Sequence, residues 1–250
     1  MYINARSVVH KLDLLQATIS AHEPDIIGIT ESWTTDNKIL DSELSMLGYD
    51  LFRCDRPSRN MGGGVLLYIR EELQATDFKT VTAFPEQVWC QLNVGTTSSM
   101  LVGVCYRTPT DYIFGRGNHS VLRDMIKEVS QSHFMLMGDF NYPGINWTDN
   151  SGPTATATED EKLFWESLDD NFVTQHVKVP TRMDATLDLV LTREPNLISA
   201  VQAIGNFGET DHEMMRLDIV MQTEREQKIF SSARDYNREI SIKLEASCRI

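Results

Sequence analysis

Phe134 to Met137 is an apolar run, and the chain then turns polar at once through Gly138, Asp139, Phe140 and Asn141. Polar groups stand in the same way where other apolar runs begin or stop. They are Asn4, Glu31 after "DIIGIT", Tyr106 after "SMLVGVC", Asp188 within "TLDLVLT", and Asp211 with His212 ahead of "EMMRLDIVM". A single case has a plain explanation, because Gly, Asp, Asn and Pro are ordinary turn residues. Glu31 alone reads as a solvated loop residue, and Tyr106 as a tyrosine whose hydroxyl is satisfied. Asp188 is less bland: a carboxylate inside an apolar run is either paired or costly. Asp139 and Asn141, two apart on an extended segment, would share one face and so one site. Carboxylates, an amide, a phenol and an imidazole at several strand ends are groups that hold divalent cations and move protons.

The elements that must position them follow from periodicity. The start reads strand, helix, strand: Ser7 as N-cap, Leu12, Leu15 and Ile19 on one helical face, and "DIIGIT" as a short buried strand. "MGGGVLLYIREEL" reads as a strand entered through a glycine turn. "EQVWCQLNV" and "SMLVGVCYRTP" read as two more, with Val88, Cys90, Leu92 and Val94 alternating. Residues 118–131 form a second helix, with Val121, Met125 and Val129 on one face. "EDEKLFWESLDDNF" forms a third, with acids in the first turn where the helix dipole favours them. "TLDLVLT" and "HEMMRLDIVM" close the series of strands. Strands outnumber helices, and hairpin-like and helix-linked neighbours both occur, so mixed sheets are expected rather than one doubly wound parallel sheet. Residues 1–221 read as one domain, and the charged residues 222–250 as a tail with partial helix, outside the fold.

Bulk properties bound the setting. The chain has 250 residues, 41% hydrophobic, and a formal net charge of −13. That charge argues against a simple electrostatic nucleic-acid binder, whose affinity comes from neutralising phosphates. An enzyme on nucleic acid stays open, since metal-holding carboxylates count as negative while the metal reverses the local field. Cys54, Cys90, Cys105 and Cys248 are scattered with no CxxC pair, which reads as free thiols in a reducing compartment. No run approaches the ~20 apolar residues of a membrane span and no signal peptide is evident. The expected setting is nuclear or cytoplasmic, without a membrane.

The motifs "INARS", "IGITES", "GGGVLLYIR", "CYRTP", "MGDFNYPGINW", "TLDLVLT" and "TDH" occur in that order over nearly all of residues 2–220. In this the sequence resembles the endonuclease/exonuclease/phosphatase superfamily, and within it the endonuclease domain of non-LTR (LINE-type) retrotransposon polyproteins. The resemblance implies a four-layer α/β (α+β) sandwich of two packed mixed β-sheets flanked by helices. It implies a Mg²⁺-dependent phosphodiesterase, with Mn²⁺ as the alternative ion. The substrate would be duplex DNA, nicked on one strand to leave a 3′-hydroxyl for target-primed reverse transcription.

Residue roles come from the same resemblance. Glu31 would ligate Mg²⁺ and Asp211 would support the metal. Asp139 would orient or deprotonate the attacking water, with Asn141 and Asn4 positioning phosphate or metal shell. His212, backed by Asp188, would meet a phosphate oxygen, and Tyr106 would offer its hydroxyl. Thr210, where the superfamily usually has Ser, and Arg107 would contact substrate. Arg6 stands where abasic-site enzymes carry an acid, which counts against abasic-site repair and against a second metal there. The start at Met1 implies a shortened first strand, and the resemblance implies a reverse transcriptase in cis and a monomeric chain. A phosphodiesterase on another phosphoester, and an inactive or domesticated element fragment, are the competing readings.

Overall fold

Apolar residues at alternate positions build two β-sheets that share one inner face. The computed structural model describes residues 1–34, 39–56, 62–94, 98–109, 117–220 and 248–249. The strands and helices in chain order are β1 (Tyr2–Asn4), α1 (Leu12–His22), β2 (Ile26–Thr30), α2 (Asp41–Leu44), β3 (Tyr49–Cys54), β4 (Val65–Arg70), β5 (Thr76–Phe78), β6 (Gln87–Val94) and β7 (Ser98–Tyr106). They continue with α3 (Gly117–Val129), β8 (Phe134–Asp139), β9 (Ile145–Asn146), β10 (Gly152–Pro153), α4 (Glu159–Asp170), β11 (Thr174–Gln175), β12 (Asp188–Thr192), β13 (Ile198–Asn206), β14 (Glu213–Ile219) and β15 (Cys248–Arg249). The first sheet runs β13-β14-β1-β2-β4-β3 with β15 also on β14, and the second runs β11-β12-β8-β7-β6-β5. Each is mixed: β1 pairs β2 in parallel and β7 pairs β8 in parallel, against antiparallel partners elsewhere.

The layers follow from which face of each strand is apolar. Val65, Leu67, Val102, Val104, Met135, Met137, Met215 and Leu217 meet between the sheets. Ile3, Ile27, Ile29, Leu66 and Tyr68 pack outward with Leu15 and Ile19 of α1. Phe134, Leu136, Leu189 and Leu191 pack outward with Met125 and Ile126 of α3 and Phe164 of α4. The result is helix, sheet, sheet, helix: the four-layer sandwich that the sequence motifs imply.

Strand alternation also aims the site. In β8, Met135 and Met137 face the inter-sheet core while Phe134 and Leu136 face the helices, so Asp139 takes the next inward position. The same count turns Asp188 of β12, Tyr106 of β7, Tyr2 and Asn4 of β1, and Thr30 of β2 inward. Each strand thus finishes its apolar stripe with a polar group at one end of the core.

The chain departs from the sequence expectations in several places. Helix α1 begins at Leu12, with Lys11 as its N-cap, so Ser7 does not cap it. Ser7 is instead held in a left-handed turn (φ 82°), where its N–H bonds the Glu31 carbonyl at 2.8 Å. Strand β3 and the nine-residue β13 were not read from sequence. β13 alternates poorly, and most of its residues are exposed, as suits a strand at the sheet edge. Of residues 221–250, Cys248–Arg249 pair with Asp218 and Ile219 of β14 rather than standing outside the fold, and the rest lies outside the described residues. For α4 the cap is plain: Thr158 Oγ1 accepts from the Glu161 N–H, and Glu161 returns a bond to the Thr158 N–H at 2.7 Å.

Gly138 lets β8 and β7 approach just ahead of Asp139. A Cβ there would lie 2.2 Å from the Cys105 carbonyl oxygen, which is backbone and cannot swing aside. Gly138→Ala is therefore expected to lose about 1–3 kcal/mol of stability by overpacking; urea unfolding of the two proteins checks this.

Candidate active site

The polar ends of the two sheets meet by hydrogen bonds that cross from one sheet to the other. Asp139 and Asp188 are register partners across β8 and β12, and Tyr106 is opposite Asp139 on the other side. Asp188 is fully buried. Its Oδ1 accepts from the Tyr2 hydroxyl at 2.7 Å, and its Oδ2 lies 2.7 Å from His212 Nδ1. Tyr2 is also 2.7 Å from Thr30 Oγ1, a second tie on the same hydroxyl. Asp139 accepts from Asn4 Nδ2 at 3.0 Å and from the Asn141 N–H at 3.1 Å. Glu31 accepts from the Tyr106 hydroxyl at 3.0 Å and from Trp33 Nε1 at 3.1 Å.

Local backbone geometry is unusual around this cluster. Arg6, Glu31, Trp33, Asn141 and Met183 all have φ between 43° and 57°. Such conformations cost non-glycine residues free energy and persist where the surroundings fix them, often at functional sites. The Glu31 segment is fixed by the glycine turn: Ser32 and Trp33 N–H groups bond the carbonyls of Gly64 and Gly63, both at positive φ. Glu86 closes the arrangement by accepting from the Gly64 N–H at 2.7 Å and pairing with Arg56 at 2.8 Å. The Arg56 guanidinium lies over the Tyr106 ring, 5.5 Å from its centroid.

The structure brings Asn4, Glu31, Tyr106, Asp139, Asn141, Asp188 and His212 to one end of the core, and gives three other sequence-selected residues different surroundings. Arg107 is buried; it donates to the carbonyls of Phe140 and Asn141 and covers the Tyr142 ring at 4.1 Å. This geometry makes it a brace for the Asp139 loop. Thr210 Oγ1 accepts from the His212 N–H at 3.1 Å, which fixes the histidine's backbone. The Asp211 carboxylate turns toward Arg182 and Arg6. Asn141 reaches the site by a route the extended i, i+2 argument did not foresee. The strand stops at Asp139, and Asn141 sits in a left-handed turn with its side chain donating to the Arg107 carbonyl at 2.8 Å.

Tyr2 and Arg56 were missed by the sequence reading. The signal for Tyr2 was present, since it shares the inward face of β1 with Asn4. Arg56 carried none, because its role depends on Glu86 thirty residues away.

Charge explains what the cluster can hold. Burial pushes the Asp139 carboxyl well above its usual range, and the charges of Asp188 and Glu31 add to this against a smaller opposite pull from His212. Burial works against charge on His212, but the Asp188 hydrogen bond and the charges of Asp188 and Asp139 outweigh it and raise its pKa above 6.5. The Tyr106 hydroxyl is pushed far up by burial and by Glu31, so it stays a proton donor. Ligand atoms of Asp139, Asp188 and His212 lie within 4.8 Å of one another. Hard oxygen donors crowded in this way fit a hard divalent cation. Each carboxylate here has both oxygens engaged: Asp188 by Tyr2 and His212, Asp139 by Asn4 and Asn141, and Glu31 by Tyr106 and Trp33.

A model of the endonuclease/exonuclease/phosphatase family matches residues 1–212. The chain belongs to that family. Members of the endonuclease/exonuclease/phosphatase family are hydrolases of phosphoester bonds, and that is the coarse activity this fold carries. No curated protein matches the chain. Among solved structures it is similar to the endonuclease domain of TRAS1, a telomere-specific non-LTR retrotransposon, at 12% identity and a TM-score of 0.65, covering 89% of this chain and 98% of that one. It is also similar to the 3′ phosphatase NExo from Neisseria bound to a product DNA hairpin, at 14% identity and TM-score 0.65, covering 88% and 98%. The abasic-site (AP) endonuclease LMAP from Leishmania major matches at 12% identity and TM-score 0.69, covering 86% and 85%. Likeness at these identities carries the fold. Among the described residues, no helix is long and apolar enough to cross a membrane.

The raised Asp139 pKa fixes the sign of a stability effect. The fold disfavours its ionised form, so the penalty is absent below the unfolded value near 3.8, grows as pH rises toward the folded value, and is constant above it. At pH 7 without metal, Asp139→Asn is expected to melt higher than the natural chain, by ~2–4 °C for each kcal/mol relieved. Below pH 4 the difference should vanish, and thermal melts at both pH values in a chelating buffer test this.

Proposed function

We propose that this chain is a Mg²⁺-dependent DNA endonuclease that nicks one strand of a duplex and leaves a 3′-hydroxyl. The observation that carries the reading is the Asp139–Asp188–His212 cluster, with Asn4, Glu31 and Tyr106 bonded around it across the two sheets. Glu31, with Asp139 beside it, would hold the divalent ion, Mg²⁺ or Mn²⁺. When bound, the ion supplies Lewis-acid stabilisation of phosphoryl charge.

The chain's own residues supply the rest. Asp139, raised in pKa and oriented by Asn4 and the Asn141 N–H, takes the proton of the attacking water. The water oxygen bonds to phosphorus as the bond to the 3′ oxygen breaks, and that oxygen leaves as an alkoxide that takes a proton from solvent water to become the 3′-hydroxyl. His212, held by Asp188 through Nδ1, presents Nε2 to a non-bridging phosphate oxygen, and its raised pKa favours the charged imidazolium. Tyr106, kept protonated, donates its hydroxyl to the phosphate. The likeness to the TRAS1 endonuclease domain supports a retroelement setting. The proposal extends to a reverse transcriptase in cis, a monomeric nuclease and a nuclear or cytoplasmic location.

Supercoiled plasmid incubated with the purified chain and Mg²⁺ is expected to relax to the nicked circle, and a chelator should stop it. Asp139→Ala and His212→Ala should each lose at least ~10²-fold in rate, the scale of removing one charge-stabilising group. Relaxation by both variants at the natural rate would sink the reading.

A further inference from the structure

Asp211 stands beside His212 in sequence but outside the site's carboxylate cluster. Its Oδ2 takes both Nε and a terminal nitrogen of Arg182, at 2.8 and 2.7 Å, and its Oδ1 lies 3.7 Å from Arg6. Among the described residues, the group tight enough to share an ion is Asp139, Asp188 and His212, and it takes in neither Asp211 nor Glu31. The two arginines stand on the loops that carry the site. Arg6 follows Asn4 by two residues, and the next N–H along bonds the Glu31 carbonyl. Arg182 is bridged to His212 through the backbone, at the start of a tight turn closed by Ala185.

Their exposure decides what the cluster is for. The side chains of Arg6, Arg182 and Asp211 are 57%, 40% and 31% exposed. Ion pairs so open to water contribute only ~0–1 kcal/mol to stability, so holding the fold together does not account for them. Within this cluster two guanidiniums share one carboxylate, in a chain whose net charge is −13. Arg182 also lines a cavity of about 730 Å³ between residues 143–149 and the 182–187 turn, together with Asp149 and Asp184. A guanidinium fork is shaped for phosphate oxygens, and one carboxylate can fix the angle of two such forks.

We propose that Asp211 is a holder for two arginines rather than a metal ligand, and that Arg6 and Arg182 grip a DNA phosphodiester flanking the scissile one. This rests on the reading of the chain as a DNA endonuclease. It assigns Asp211 differently from the family resemblance, which makes it a metal support. It also gives Arg6 a task at the position where abasic-site enzymes carry an acid.

The test is binding of a fluorescein-labelled DNA duplex in Ca²⁺, followed by anisotropy at several salt concentrations. Arg6→Ala and Arg182→Ala should each weaken binding about five- to tenfold and lower the slope of log Kd against log salt by about one. Arg182→Lys should restore the slope, because it restores the charge. Thermal melts should show all variants folded. Mg²⁺ titration of Asp211→Asn, followed by the melting midpoint, should keep half-saturation within about twofold of the natural chain. Unchanged salt slopes in both alanine variants would overturn the clamp, as would absence of DNA binding by the natural chain. A tenfold rise in half-saturating Mg²⁺ for Asp211→Asn would return Asp211 to the metal. Arginine-dependent binding by a chain that fails to nick plasmid would refute the endonuclease reading and leave Arg6 and Arg182 as a DNA-phosphate grip with no scissile bond beside it.

Discussion

The site depends on one buried carboxylate that both sheets hold. Asp188 belongs to the second sheet, yet its two oxygens are engaged by Tyr2 and His212 of the segments that frame the first. Asn4 to Asp139 and Tyr106 to Glu31 cross the same gap in the two directions. Sliding one sheet over the other would break all of these together, and a buried carboxylate left without partners costs several kcal/mol. The apolar inter-sheet core supplies the cohesion, and these polar ties supply the register. Strand packing sets the spacing of Asn4, Tyr106, Asp139 and Asp188, because each is the end inward residue of a packed strand.

That precision is purchased with electrostatic strain. Asp139 and Asp188 lie on adjacent strands with ligand atoms within 4.8 Å, a repulsion on the order of 3 kcal/mol at an effective dielectric of ~20. His212 offsets one charge. Glu31, Asp139 and Asp188 against a protonated His212 still leave a formal excess of negative charge, which a divalent cation would cancel. The left-handed backbone at Glu31 and Asn141 adds strain beside the same groups. Well-packed apolar residues here would spare the fold this repulsion.

Much of this was legible from the residues. Apolar runs of four to six residues bordered by a polar group located β2, β8 and β12, and Asp188 stood out as a carboxylate that an apolar run must pair. The motifs then supplied the fold and the site list. What sequence could not show were features set by tertiary partners. β13 is an edge strand with weak alternation. Ser7 looks like an N-cap until its N–H is claimed by Glu31, and Asn141 looks extended until its side chain is claimed by Arg107. Arg107 and Asp211 keep their places near the site but spend their hydrogen bonds on a loop and on two arginines, which only the folded geometry reveals.

The central claim is that Glu31 and Asp139 hold the divalent ion while Asp188 and His212 form a separate hydrogen-bonded pair. Crystals soaked in Mn²⁺ and measured at the manganese absorption edge test it most directly. The account predicts an anomalous peak on the Glu31 carboxylate facing Asp139, with the His212–Asp188 bond intact. A peak ligated by His212 and Asp188, with Glu31 turned away, would contradict it.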